Sequence, residues 1–505
     1  MSNHLLFVLL NLGILAPLLF SFVVWKMASV DRARRCALWV LALSFPALLA
    51  NSLTAGSQAE SHLIEPFGQW FLVDALNAIP LSLFAAIAMG VALLAPKHNL
   101  TPQWLASVMW LSATTCATYA SNNLVIFVLG WAGSLAPFLV TRAFASPTAG
   151  ANTGAATADG GTATSPDKTI PGFSKVILAM SLASLCIGVG LLVYAAPQAS
   201  WRDVLGFTLP RTGDTPLLFA AFAFLMGAVV LRKGLFPAHS WVVTAFERGP
   251  LLPLTLLVNG HLGAFLIARI VLPLLPDEAH DAWPIFSNLG LLTAAYVALV
   301  ALVERRPRRL FALVAISQSA FLLTGLQSYS AIGIAGALVL WQVIAVSTTM
   351  LAAVYAGLEA RLGSAVEKDG FLGLAVGAPR LAIFFAVGGL ALVGLPLTLG
   401  FPAEDLLLQG TLASNPYFGV VLPVVTALNA FSIVRLFARL FLGQPVAAAH
   451  NIADALPRER WVLTAALLFL IVGGLFPAQL MRLPALAAER LVKAVSGSYH
   501  TAQRP

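Results

Sequence analysis

About 14 apolar runs alternate with short polar breaks along the chain. Their approximate limits are 4–25, 36–54, 74–95, 104–121, 122–144, 174–195, 214–246, 250–272, 282–303, 308–327, 329–358, 378–411, 416–442 and 460–481. A bilayer needs about 20 predominantly apolar residues per helix, so each run predicts one transmembrane helix. Two runs are too long for one straight helix. The seventh, 214–246, is interrupted by Gly234 and Pro237, and the twelfth, 378–411, by GLPLTLGFP at 394–402. Proline removes a backbone donor and breaks a helix. In hydrocarbon, such a break survives only where protein or a watery cavity satisfies the freed backbone groups. Paired breaks in the two halves of a transporter point to its binding or conduction region. The expected fold class is therefore an all-α polytopic membrane protein with broken seventh and twelfth helices.

Composition excludes the soluble alternative. The 505 residues are 59% hydrophobic and only 10% charged, where a soluble domain carries about a quarter charged residues. The formal net charge of +8 does not signal nucleic-acid binding, because no Lys/Arg run is interleaved with aromatics on a polar face. The basic residues lie instead in alternate loops. With the N-terminus outside, the cytoplasmic side collects 20 Lys/Arg and the opposite side 7, Arg232 and Lys233 set aside. That asymmetry follows the positive-inside rule and places both termini on the periplasmic side. The three cysteines, Cys36, Cys116 and Cys186, have neither metal nor disulfide spacing. No cleavable signal is evident, since the first apolar run lacks a basic flank. SPTAGANTGAATADGGTATS at 146–165 reads as a flexible cytoplasmic linker, and the tail after 483 as a short amphipathic helix on the outer surface.

Ionisable groups at membrane depth are costly and default to functional candidates. Arg232 and Lys233 stand just before the first break, with His239 beside it and Glu247 following; Glu404 and Asp405 follow the second. His261 lies about 16 Å into its span, at about 1.5 Å per residue. Gln318, between Ser317 and Ser319, is also mid-span, as are Gln342 and Asn429. These residues admit two readings. One is a lateral relay of protonatable and hydrating groups. The other is structural: interhelical hydrogen-bond glue for Ser317, Gln318, Ser319 and Asn429, a satisfied core histidine at 261, and a cap on freed carbonyls at His239. Arg269, Arg305, Arg306, Arg308 and Arg309 read as markers of interfaces and topology.

Five segments together resemble a family: VDALNAIPLSLF (73–84), NNLVIFVLGWAGSLAPFLVTRAF (122–144), LRKGLFPAHSWVVTAFERGP (231–250), RRLFALVAISQSAFLLTGL (308–326) and LPLTLGFPAEDLLLQG (395–410). They are similar to the antiporter-like, proton-conducting subunits of respiratory complex I and of multisubunit cation/proton antiporters. The resemblance implies a 14-helix core with two inverted five-helix repeats. Its division would be helices 1–4 at 1–121, a first repeat at 122–272 with its linker at 145–173, a second repeat at 273–442, and a last helix and tail at 443–505. The chain departs from the family pattern at chosen positions. Ala132 replaces the glutamate after the GW pair, Arg232 stands at the lysine position with Lys233 next to it, and Glu404–Asp405 replace a lysine near the twelfth-helix break.

Those departures, with LGFPAEDLLLQG (399–410) and ALNAFSIVRLFARLFLG (427–443), most resemble the membrane subunit of the two-part DAB-type system for accumulating inorganic carbon. That likeness implies an ion-translocating subunit, for protons or sodium, in the bacterial inner membrane. It would energise a large cytoplasmic partner similar to a β-carbonic anhydrase, which hydrates CO2 to bicarbonate at its own zinc. No cofactor, metal site or catalytic chemistry is expected in this chain. The implied ion path takes in Arg232, Lys233, His239, Glu247, His261, Gln318, Glu404 and Asp405. Two other functions fit the same residues. One is a proton-translocating subunit of an NADH:quinone oxidoreductase, hydrogenase-type complex or cation/proton antiporter. The other is a non-conducting membrane anchor for a soluble partner, for which Ala132 is the best support.

Overall fold

The computed structural model describes residues 3–55, 70–97, 100–140, 170–195, 215–367, 370–450 and 452–502. The predicted linker at 146–165 lies outside them. The helices are α1 Asn3–Trp25, α2 Val30–Thr54, α3 Ala78–Leu94, α4 Pro102–Ala120, α5 Leu124–Leu139, α6 Gly172–Tyr194, α7 Thr215–Lys233, α8 Ser240–Arg248, α9 Leu251–Asn259 and α10 Leu262–Leu266. They continue as α11 Trp283–Val303, α12 Pro307–Leu326, α13 Ala331–Leu362, α14 Pro379–Leu392, α15 Gly400–Thr411, α16 Phe418–Phe441, α17 Pro457–Leu475 and α18 Pro477–Ala502. Every predicted run overlaps at least one of them. Among the described residues, nine helical spans are long and apolar enough to cross a bilayer on their own. The fold is an all-α polytopic membrane protein.

Position in the bundle follows from what each helix buries. α13 is a central post: it packs against α9, α12, α14, α15 and α18, and its whole apolar window is buried. α12 and the α9–α10 segment are nearly as enclosed, whereas α1, α6 and α16 bury only about a third of theirs. The peripheral helices turn Leu19, Phe22, Trp39, Leu43, Val420 and Phe431 outward, as a lipid-facing surface requires. α15 reaches α13 through small residues: a Cβ added to Gly410 would stand 2.0 Å from the Gly333 nitrogen. Between lipid-bathed helices, such close backbone approach supplies the packing that a hydrophobic effect cannot.

Charged residues tie the helix ends. Arg308 forks onto Glu359 at 2.5 and 2.7 Å and donates to the Phe246 and Gly249 carbonyls at 3.2 and 2.9 Å, closing the end of α8. Arg361 meets Glu459 at 2.6 Å. Arg435 donates to three carbonyls at the end of α11, those of Ala301, Leu302 and Glu304. The ends of α8, α11 and α13 and the starts of α12 and α17 therefore share one end of the bundle. This is what alternating spans produce, and it explains the cluster Arg305, Arg306, Arg308 and Arg309 as an architectural one.

Three details differ from the sequence expectation. The fourteenth span stops at Leu475 rather than near 481, and the chain turns by 81° into α18. The amphipathic tail helix begins at Pro477 and runs to Ala502, longer and earlier than expected, because its Ala487, Ala488, Leu491 and Val495 are buried on the protein instead of riding free on the membrane. The eighth span is also interrupted. His261 sits at φ +40, between α9 and α10, and a π turn follows at Ile267–Val271. Its run LLVNGHLGAFL lacks a proline at the break, so only Gly260 hinted at it.

Candidate functional site

The two breaks are built on one backbone device. At the first, the Gly234 N–H reaches the Leu231 carbonyl at 3.3 Å and the Leu235 N–H the Val230 carbonyl at 3.0 Å. At the second, the Gly394 N–H reaches Ala391 at 3.3 Å and the Leu395 N–H reaches Leu390 at 3.0 Å. Each pair is a Schellman closure, which needs a left-handed residue just past the helix. Gly234 and Gly394 supply it, with φ +66 and +67. The device leaves Lys233 as the capping residue of α7, where a cation is favoured by the helix dipole. Val393 holds the matching place after α14.

Lys233 is buried, and its Nζ lies 3.2 Å from His261 Nδ1. His261 is aimed by its left-handed backbone, and its ring edge meets Trp341 of α13 at 5.8 Å. The preceding Gly260 carbonyl accepts a hydrogen bond from the Tyr119 hydroxyl of α4. Gly263 leaves room for the lysine stem: a Cβ there would lie 2.9 Å from Lys233 Cγ. Arg232 turns the other way, onto α5. Its guanidinium lies 4.3 Å above the Trp131 ring, and Nη2 donates to Ser134 Oγ at 2.7 Å. The adjacent basic residues thus have different surroundings: Arg232 is clasped by an aromatic ring and a hydroxyl, Lys233 faces a titratable imidazole.

At the second break Glu404 is turned inward beneath Gly394, where a Cβ would lie 2.6 Å from Glu404 Oε2. Oε2 also accepts from Thr426 Oγ1 at 3.3 Å. Asp405 is exposed on the outer side of α15 and accepts from Gln409 Nε2 at 2.8 Å. Consecutive residues on a helix point about 100° apart, so the two carboxylates do not share a site.

The other candidates are dispersed. His239 stacks on Phe236 at 6.1 Å and meets Tyr296 edge-on at 5.2 Å, half-buried beside the break. Glu247 lies at the basic end, paired with Arg306 and, at 3.0 Å, with Arg309. Gln318 is fully buried. No hydrogen bond joins Lys233–His261 directly to Gln318 or Glu404 among the described residues.

Several of these residues, and others deep in the bundle, carry buried polar atoms without protein partners among the described residues. His261 Nε2, both amide atoms of Gln318, Gln342 Oε1, Asn429 Oδ1 and Glu404 Oε1 are among them. Each such atom costs about 1–3 kcal/mol unless it is hydrated or occupied. Asn429 is half satisfied, donating to Ser317 Oγ at 2.8 Å while Ser317 donates to the Ala294 carbonyl at 3.0 Å. The serine therefore serves as glue between α11, α12 and α16.

Two further polar contacts join distant segments of the chain. Asn259 Nδ2 donates to the Ala345 carbonyl at 3.0 Å and to Thr349 Oγ1 at 2.9 Å, while Oδ1 accepts from Thr348 at 2.9 Å. This fixes α9 to α13 two residues before His261. Asp74 pairs with Arg269 on the π turn. An asparagine deep in an apolar run and an aspartate in VDALN were the available signals.

Comparison with known proteins agrees with this geometry. Residues 170–429 match the family model described as NADH:quinone oxidoreductase/Mrp antiporter, TM. The chain is 25% identical over 488 residues to NADH-quinone oxidoreductase subunit N of Geotalea uraniireducens (strain Rf4), covering 94% of each chain. It is 29% identical over 307 residues to subunit M of Mycobacterium tuberculosis (strain ATCC 25618 / H37Rv), covering 59% of this chain and 55% of that one. Its fold is similar to a chain of respiratory complex I from Thermus thermophilus, with a TM-score of 0.78 at 21% identity over 96% of this chain and 99% of that one. It is also similar to a chain of the Mrp complex from Dietzia sp. DQ12-45-1b, with a TM-score of 0.77 at 17% identity over 97% and 99%. The chain, a multi-pass membrane protein with two like-built helix breaks, belongs to the NADH:quinone oxidoreductase/Mrp antiporter transmembrane family.

Proposed function

We propose that this chain translocates a monovalent cation, a proton or sodium, as one subunit of a multisubunit complex. The observation that carries this reading is a set of buried polar atoms without protein partners that includes His261 Nε2 beside Lys233, Glu404 Oε1 at the second break, and amide atoms of Gln318, Gln342 and Asn429. A dry core would not keep them. Water bridging such groups satisfies them, and a hydrated row of titratable side chains passes protons. Lys233 and His261 exchange charge at the first break, Gln318, Gln342 and Asn429 hold the intervening water, and Glu404 receives charge at the second. His239, Glu247 and Asp405 stand off this line, and Arg232 sets the local field without titrating. The names of the relatives, respiratory and antiporter subunits, support the same class. The repeats would be 122–272 and 273–442, with both termini on the periplasmic face of a bacterial inner membrane.

The test is ion flux in proteoliposomes containing the complex purified from native membranes. Lys233→Met should abolish proton or sodium entry while assembly persists. An intact wild-type complex with zero flux of either ion would leave only the anchoring role.

A finer reading is that the flux energises a cytoplasmic, zinc-dependent CO2-hydrating partner that builds up bicarbonate. Its support is the likeness of 399–410 and 427–443 to the membrane subunit of the inorganic-carbon system, together with Ala132 and Arg232 at positions where pumping subunits differ. Co-purification followed by metal analysis decides it. A large soluble zinc protein favours carbon uptake; redox subunits bearing iron–sulfur clusters favour the quinone-reductase assignment.

A further inference from the structure

Residues of α2, α3, α13, α17 and the first turns of α18 line a cavity of about 770 Å³. Its floor is Val346, Thr349 and Met350 of α13, the helix buried along its whole apolar window. Its walls are apolar: Ala86 and Gly90 of α3 face Val462 and Phe469 of α17. The volume is within the range of about 300–1,000 Å³ usual for small-ligand sites.

The mouth of the cavity is polar at one end. Gln479 and Arg482 line it there, on the part of α18 that directly follows the 81° turn from α17. With its apolar face packed on the protein, a helix turned that far from a spanning one would hold its exposed polar residues near headgroup depth. Both residues are exposed, and Arg482 has no ion pair or side-chain hydrogen bond among the described residues. The site therefore offers a cation at headgroup level and, directly below it, an apolar slot reaching the central helix.

We propose that this cavity is a binding site for one anionic phospholipid, its phosphate on Arg482 and its acyl chain against α13. Charge complementarity selects the headgroup, and the predominantly apolar lining selects a tail. The occupant would bear on the candidate ion path, because Thr349 on the floor holds Asn259, two residues before His261. This inference does not depend on whether the chain conducts ions.

The experiment uses the full-length chain in detergent, washed free of loosely held lipid. Lipids still bound are extracted and identified by mass spectrometry, and phosphatidylglycerol, phosphatidylcholine and inorganic phosphate are then titrated separately against thermal unfolding. One anionic phospholipid per chain should survive washing, and phosphatidylglycerol alone should raise the unfolding midpoint. Arg482→Ala should weaken that apparent affinity about tenfold, the worth of one charge-assisted hydrogen bond, and Arg482→Lys should restore most of it. Ala86→Trp, which fills the slot from a partly exposed position, should block retention without changing Arg482. Equal retention of phosphatidylcholine, a response to phosphate alone, or an unchanged Arg482→Ala would overturn the assignment. So would a photo-crosslinker at position 86 that labels a neighbouring protein helix in native membranes rather than lipid.

Discussion

The two broken helices share a backbone and differ in where they keep charge. Gly234–Leu235 and Gly394–Leu395 close α7 and α14 with the same pair of hydrogen bonds. The first break holds its cations before the turn, at the end of α7, and buries Lys233 against His261. The second leaves Val393 at that place and carries its acid after the turn, with Glu404 folded back under Gly394. A repeated backbone thus supplies two similar hinges with freed carbonyls, and side chains alone decide which is cationic and which anionic.

The comparison is broken most directly at its two charged centres. Lys233→Ala should lower ion flux by more than about tenfold, equivalent to at least about 1.4 kcal/mol on the limiting barrier, and unchanged flux would remove the first break from the path. Glu404→Gln should cost about tenfold on the same scale. Asp405→Asn should stay near wild type, because that carboxylate faces outward onto Gln409. If the two acid variants lose flux equally in the proteoliposome assay, the carboxylates do act as the pair that their adjacency suggests.

Backbone equivalence has its own test. Gly234→Ala and Gly394→Ala each force a side chain into the left-handed region, at about 1–2 kcal/mol. Both should lower the thermal unfolding midpoint of the purified protein by similar amounts. The new Cβ would meet Val242 Cγ2 at 2.5 Å in Gly234→Ala and the Glu404 carboxyl at 2.6 Å in Gly394→Ala. Because only the second clashes with a candidate ion-path residue, Gly394→Ala should lose flux beyond its loss of stability. A strongly unequal drop in midpoint would mean that the two turns are not equivalent supports.

The smallest effect belongs to the charged end of the bundle. Burial alone would raise the Glu304 carboxyl, but hydrogen bonds from the Arg306 backbone and Arg309 side chain outweigh it and hold it below its ordinary 4.5. A depressed carboxylate stabilises the fold at pH values above its unfolded pKa, and that contribution is lost as pH falls through the lower folded value. The midpoint difference between wild type and Glu304→Gln should therefore be present at neutral pH and vanish under acid conditions. A difference independent of pH would assign Glu304 a packing role only.

Much of this architecture was legible in the chain itself. Apolar runs of bilayer length can satisfy their backbone only as helices, so spans, order and both proline-associated breaks followed from periodicity and composition. The basic loops marked one end of the bundle because ions avoid hydrocarbon. Adjacency in sequence, however, does not mean shared surroundings. Arg232 turns onto α5 while Lys233 meets His261, and Glu404 turns inward beneath Gly394 while Asp405 is exposed beside Gln409 of its own helix, because each residue of a helix turns about 100° from the last. The break at Gly260–His261 was hidden because no proline announces it; it is held by Tyr119 and Asn259, which lie on or reach other helices. Local chemistry determined which segments enter the membrane and where they fail to stay straight. Only packing of distant helices decided which polar side chains meet, since a contact such as Lys233–His261 depends on the rotation of one helix against another, and no stretch of sequence encodes that alone.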